Sequence, residues 1–229
     1  LTLHFYDNIN TQLDQTFAKD ISDIRPNLRV NMQFKKNENL RFTYRKNTQF
    51  TDVNNISEGY VFNNYNSIFR GNRGLEAAIV NSYNLNYRSI NQFTFTNIFS
   101  NISYSKRENS IQSKAAIDGI NSVRTADNSI FPRETYSARA RIDKRFKNIK
   151  INLSANIRYS EFSNIINDVV NNAESFNQDY EASLETNFRD KPNFEIGLKY
   201  NLNNYKNANI ENKFVRETPF IRTDAYFGR

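Results

Sequence analysis

The chain has 229 residues, no cysteine and a formal net charge of +7, which excludes disulfide scaffolds and thiolate metal sites. Apolar residues are only 38% and mean hydropathy is −0.75, yet 14% aromatics and ordered β-branched alternation argue against disorder. No apolar run reaches about 18 residues, so no transmembrane helix is encoded; a barrel with a wet interior accounts for the apolar shortage.

The chain opens on LTLHFYD, which already alternates like a strand and carries no signal peptide. Leu13, Phe17, Ile21 and Ile24 then follow helical spacing. NLRVNMQF (27–34) and LRFTYR (40–45) form a first hairpin across KKNEN. VNSYNLNYR (80–88) and FTFTNIFSNISY (93–104) form a second across SINQ, with a parity change near Asn97 that predicts a bulge. TYSARARIDKRF (135–146) and IKINLSANIRY (149–159) flank only Lys147 and Asn148. Phe162, Ile165, Ile166, Val169 and Val170 again share a helical face; both helically spaced stretches are expected to be loop insertions or short helices. DYEASLETNF (179–188) and FEIGLKYNL (194–202) flank RDKPN, and FIRTDAYF (220–227) ends the series. Turns of two to five residues thus alternate with long polar stretches at 46–75, 105–134, 160–177 and 203–219, many of them rich in the chain's 38 asparagines. Short turns at one end and long loops at the other are the asymmetry of an outer-membrane barrel.

The third hairpin fixes its own register. A two-residue turn sets Phe146 opposite Ile149, Ile142 opposite Leu153, Ala138 opposite Ile157 and Tyr136 opposite Tyr159. Only Lys144, opposite Ile151, breaks the apolar face, and it lies close enough to Phe146 to reach the headgroups. A slip of one residue would move the whole apolar set to the other face. Aromatics bracket that face. Phe34, Tyr87, Phe146, Phe188 and Phe194 lie near the tight turns; Tyr44, Tyr104, Tyr136, Tyr159, Tyr180 and Tyr200 lie near the long loops. Two aromatic rows around an aliphatic band form the girdles of a transmembrane barrel, since a tyrosine ring stays apolar while its hydroxyl reaches water. Eight to ten residues between the rows span about 19–23 Å at a tilt near 45°, close to a band of about 25 Å.

The opposite face is expected to line the lumen, with Arg139, Arg141, Lys150, Asn152, Asn156, Arg158, Glu181 and Glu185 as its candidate residues. Its cations could favour anionic solutes, or they could be screened by Asp143, Glu181, Glu185 and Glu195 in a bland hydrated lumen. Nucleic acid is disfavoured, because the arginines are not interleaved with aromatics on one exposed face. No catalytic, cofactor or metal constellation is visible. His4 is the only histidine, GNRG (71–74) lacks a phosphate loop's Gly-Lys-Ser/Thr, and AIDGI (116–120) has too few carboxylates for calcium. No enzyme is expected.

Tyr44-Arg45, Val53-Asn54, Gly71-Asn72 with Leu75, and Tyr83, Leu85 and Tyr87 together resemble a recurring stretch in the β-barrels of Bacteroidetes TonB-dependent receptors and related outer-membrane proteins. The later hairpins resemble the same barrels, so the similarity runs from about residue 25 onward. Arg73 and Ala77 stand where relatives often carry proline, and no plug domain or TonB box is present. The resemblance implies an all-β, antiparallel up-and-down transmembrane barrel in the bacterial outer membrane. Residues 1–229 would form a single segment of about nine or ten strands, part of a larger barrel. It also implies nutrient uptake, with outer-membrane lipid as a partner and TonB acting through the missing plug. Two alternatives stay open: an outer-membrane barrel with a structural or adhesive role, and a soluble β-sandwich binding module.

Overall fold

The computed structural model describes residues 2–10, 15–167, 169–189 and 191–225. In chain order the strands are β1 (Thr2–Asn10), β2 (Gln15–Asp23), β3 (Asn27–Lys35), β4 (Glu38–Gln49), β5 (Tyr60–Asn64), β6 (Ser67–Arg70), β7 (Ala78–Asn91) and β8 (Thr96–Glu108). They continue as β9 (Ile111–Asp118), β10 (Asn121–Asn128), β11 (Arg133–Phe146), β12 (Ile149–Ile166), β13 (Val169–Thr186), β14 (Asn193–Asn207) and β15 (Glu211–Asp224). One short helix, α1 (Val53–Ile56), precedes β5.

Nine strands form a single antiparallel path, β3-β4-β7-β8-β11-β12-β13-β14-β15, which does not close on itself. The hairpin of β11 and β12 pairs Phe146 with Ile149, Ile142 with Leu153 and Tyr136 with Tyr159, the register its alternation dictates. Lys147 takes a φ of +50° in the two-residue turn, a left-handed conformation suited to such hairpins. The sheet is one layer thick. Among the described residues no large side chain is fully buried, and Val30, Ile102, Leu153, Leu184 and Ile196 stand exposed along one face. A soluble β-sandwich would cover that face with a second sheet, and none is stacked there among the described residues.

The stagger of the turns gives the sheet its slant. Tyr44, Tyr83, Tyr104, Tyr136, Tyr159 and Phe176 are successive register partners across six strands. Six residues separate Tyr44 from the turn end of β4 at Glu38, eight separate Tyr83 from Asn91, and ten separate Tyr136 from Phe146. From β4 to β12 each hairpin therefore slides by two residues, or one per strand, whereas β13 keeps level with β12, Thr186 opposite Ile149. A slide of about 3.3 Å for each 4.8 Å step sideways is a tilt of roughly 35°, within the range of membrane barrels.

Several expectations need correction. The long polar stretches are mostly strand rather than loop. Residues 160–177 continue β12 and β13 as a hairpin, so the helical reading of Phe162 to Val170 fails; these residues pair across the hairpin instead, Ile165 with Val170. Ile21 lies in β2, and Ile24 follows it exposed, so the earlier helical spacing is not a helix either; Leu13 falls outside the described residues. No bulge occurs at Asn97, whose neighbours hold one continuous register with β7 and β11. The parity change arises because Phe93 and Phe95 belong to the turn, with Phe95 at a φ of +48°, and the strand starts at Thr96. The last strand runs over 211–224 rather than 220–227.

Beyond the tyrosine row the extended hairpins interlock. β9 pairs with β10, β10 runs parallel to β6, and β6 pairs with β5. The tip of β12–β13 joins them: Asn167 donates its N–H to Ala115 (3.0 Å) and accepts from the Ile117 N–H (2.7 Å). The Gly71–Leu75 motif is seated against α1, with Gly71 and Asn72 donating to the Ser57 and Asn55 carbonyls. A Cβ at Gly71 would collide with the carbonyls of Ser57, Asn55 and Asn54, so the close approach requires glycine. Ile56, Leu75, Ala78 and Ala126 are buried in this region.

Candidate functional site

Alternation puts the eight candidate lumen residues on the face opposite Ile142, Leu153 and Ile157. There the register builds a row that the separate hairpins could not reveal. Asn31, Arg41, Asn86, Asn101, Arg139, Asn156, Asp179, Asn201 and Arg216 are successive partners across all nine strands. Many of them bond sideways. Arg41 Nε donates to Asn31 Oδ1 (2.8 Å) and Asn101 Nδ2 to Asn86 Oδ1 (2.7 Å). Arg139 Nε donates to Asn156 Oδ1 (2.9 Å), whose Nδ2 donates to Asp179 Oδ2 (2.9 Å), while Asn201 Nδ2 reaches Asp179 Oδ1 (2.7 Å).

Toward the turns the same face is charged and paired. Lys150 meets Glu185 at 2.9 Å, Lys199 meets Glu181 at 3.4 Å, Arg222 meets Glu195 at 3.1 Å and Arg141 meets Asp143 at 3.0 Å. Asn152 donates to Ser183. Gly197 opens room for the ring of Phe220, because a Cβ there would strike the ring and the Ser183 Cβ. Lys199 Nζ and the Arg222 guanidinium lie 5.5 and 4.8 Å from that ring's centroid. Toward the long hairpins charge is sparser: Asn84, Ser103, Ser137, Asn177 and Asn203 share a row crossed by exposed Arg158 on β12 and ending at Arg29 on β3, with Arg45 one row farther out. Ser103 and Ser137 share a hydrogen bond of 2.7 Å. A hollow of about 610 Å³ opens on this face between β7 and β14.

The aromatic residues occupy two levels on the apolar face. Neighbouring rings of the upper row lie 4.7–6.3 Å apart from Tyr104 through Tyr136 and Tyr159 to Phe176. Tyr83 and Phe176 were not among the predicted row; Tyr83 was detectable four residues before Tyr87 on the same face, whereas Phe176 sat in a stretch read as loop. Tyr180 and Tyr200 pair with each other four residues nearer the turns than Phe176. Hydroxyls of the upper row bond away from the turns, Tyr44 to Asn81, Tyr136 to Glu134 and Tyr159 to Glu161, as does that of Tyr180 below it, to Gln178. Tyr87 instead bonds toward its turn, to Glu38. Phe34 sits at a register irregularity in β3, Phe146 ends β11, Phe194 is the second residue of β14, and Phe188 lies just past β13 with its N–H on Asn193. Lys144 turns its Nζ to Thr96 (2.8 Å), near the Phe146 ring. Above the row, Lys106 donates to the Glu108 carboxylate at 2.8 Å, which raises the pKa of its ammonium.

An apolar face rimmed by aromatics, a continuous polar face and the tilt of a membrane barrel describe one wall between lipid and water. A family model described as the outer membrane protein β-barrel family matches residues 4–225. The chain belongs to this family. Comparisons with curated proteins and with solved structures returned no match. As an outer membrane β-barrel protein it resides in the bacterial outer membrane, and Ile151, Leu153 and Ile157 lie on its apolar face. Among the described residues no group of His, Cys, Asp and Glu is arranged to hold a metal ion, and the His4 side chain lies outside what the structure describes.

Proposed function

We propose that this wall belongs to a receptor or transporter barrel that imports a nutrient through a hydrated lumen under TonB energisation, with no catalytic step. The polar row from Asn31 to Arg216 carries the reading, because it presents one water-facing surface across nine strands that a larger barrel would wrap around a solute path. Support for the TonB dependence comes from the resemblance of residues 40–88 to TonB-dependent receptor barrels. Arg139, Arg141, Lys150, Asn152, Asn156, Arg158, Glu181 and Glu185 would then line the lumen, and the tyrosine and phenylalanine rows would be its membrane girdles.

The absence of native cysteine makes the faces directly testable. In intact outer membranes, Ser137→Cys should react with a membrane-impermeant maleimide while Ala138→Cys reacts only after the membrane is dissolved. Equal labelling of both neighbours would rule out the lumen. The periplasmic domain of TonB, used as bait, should capture the full-length protein from outer membranes of cells that produce it. Failure of capture would favour a passive structural or adhesive role, to which the exposed Tyr60, Phe62 and Tyr65 on the outward hairpin of β5 and β6 would be suited.

A further inference from the structure

We infer that the polar face holds a binding site for a planar aromatic anion, centred on Phe99 and resting on the reading of that face as a hydrated lumen. Phe99 is an apolar ring on the wet side of the wall, 37% exposed. Its register partners are Arg88 on β7 and Arg141 on β11, and the Arg88 guanidinium lies 5.8 Å from the ring centroid. Arg139 stands one row outward, and all four residues line the 610 Å³ hollow.

The chain contains a second, completed version of this arrangement. Phe220 also lies on the wet face between two cations, Lys199 and Arg222. There the ring is covered on Gly197 and each cation has its own carboxylate, Glu181 and Glu195. At Phe99 three cations stand near the ring, and among the described residues only Arg141 has a carboxylate of its own, Asp143. Among the described residues Arg88 contacts the ring and pairs with no acid, and Arg139 donates its Nε to the Asn156 amide oxygen and pairs with no acid. Arg141 also lines the hollow, with its Nε bonded to both oxygens of Asp143. The acids of the far wall are committed elsewhere, Asp179 to Asn156 and Asn201, and Glu181 to Lys199. What the site lacks is a flat ring to stack on Phe99 and negative charge to meet the Arg88 and Arg139 guanidiniums, which one aromatic anion would bring together.

The test uses 8-hydroxypyrene-1,3,6-trisulfonate, a planar trianion that fluoresces, titrated onto the full-length protein in neutral detergent. Its anisotropy should rise saturably, and tripolyphosphate, an anion without a ring, should compete at least about ten-fold less well. Phe99→Leu and Arg139→Gln should each weaken binding by roughly ten-fold, the scale of one lost stacking or charge-assisted contact. Arg45→Gln, a cation elsewhere on the same face, should change it less than about two-fold. Equal competition by tripolyphosphate, or binding indifferent to Phe99→Leu, would reduce the site to bare positive charge and overturn the inference. Absence of binding while Ser137→Cys still labels and Ala138→Cys does not would overturn it too, with the lumen left standing. Loss of that labelling contrast would instead sink the lumen reading beneath it.

Discussion

The turn-side and loop-side halves of the polar face are built from the same alternation, yet they hold themselves together differently. Near the turns, Lys150–Glu185, Lys199–Glu181 and Arg222–Glu195 cross-link β12 to β15 with charge, and Phe220 fills the gap over Gly197. Nearer the long hairpins, Ser103–Ser137 and the Asn31-to-Arg216 row use mainly carboxamides and hydroxyls. Paired charges favour this register, because a slipped strand would part each cation from its carboxylate. Carboxamides and hydroxyls can both donate and accept, which leaves the loop-side half able to exchange these bonds for bonds to water.

The contrast can be broken at its firmest point. Gly197→Ala drives a methyl into the Phe220 ring and should cost about 2 kcal/mol, read as a lower urea midpoint in lipid vesicles, with Phe220→Leu restoring part of the loss. Asn156→Ala removes bonds to both Arg139 and Asp179 and should cost about 1 kcal/mol by the same measurement. Glu185→Gln should cost about 0.5–1 kcal/mol, because the pair with Lys150 is about one-third exposed; raising the salt to 1 M should shrink that difference. Ser137→Ala should stay within about 0.5 kcal/mol and show no salt dependence. If it proved as costly as Glu185→Gln and as salt-sensitive, the two halves would not differ in kind.

Legibility in the sequence followed the same division. The β11–β12 register could be read residue by residue, because a two-residue turn and one buried face leave a single solution. The second hairpin misled because Phe93 and Phe95 alternate as if in a strand while lying in a turn held by Asn91, which accepts from the N–H groups of Phe93 and Thr94. Stretches such as VVNNAESF and NSVRTADN hid their strands, since outside the membrane neither face need be apolar and the period-two signal disappears. The polar residues of the candidate site were visible singly. Their row was not, because the pairings of β4 with β7, β8 with β11 and β12 with β13 follow long polar excursions that carry no register of their own.

The stagger of one residue per strand from β4 to β12 also bears on the tyrosine belt. A file of direct register partners runs square to the strands, so in a slanted wall it climbs like the thread of a screw and would leave the headgroup layer within a few strands. The file from Tyr44 to Phe176 makes that climb, from six to ten residues above the turns, and Tyr180 then drops back to six above Thr186. The break between Phe176 and Tyr180 is a step in the thread that returns the anchors to the level of the membrane surface.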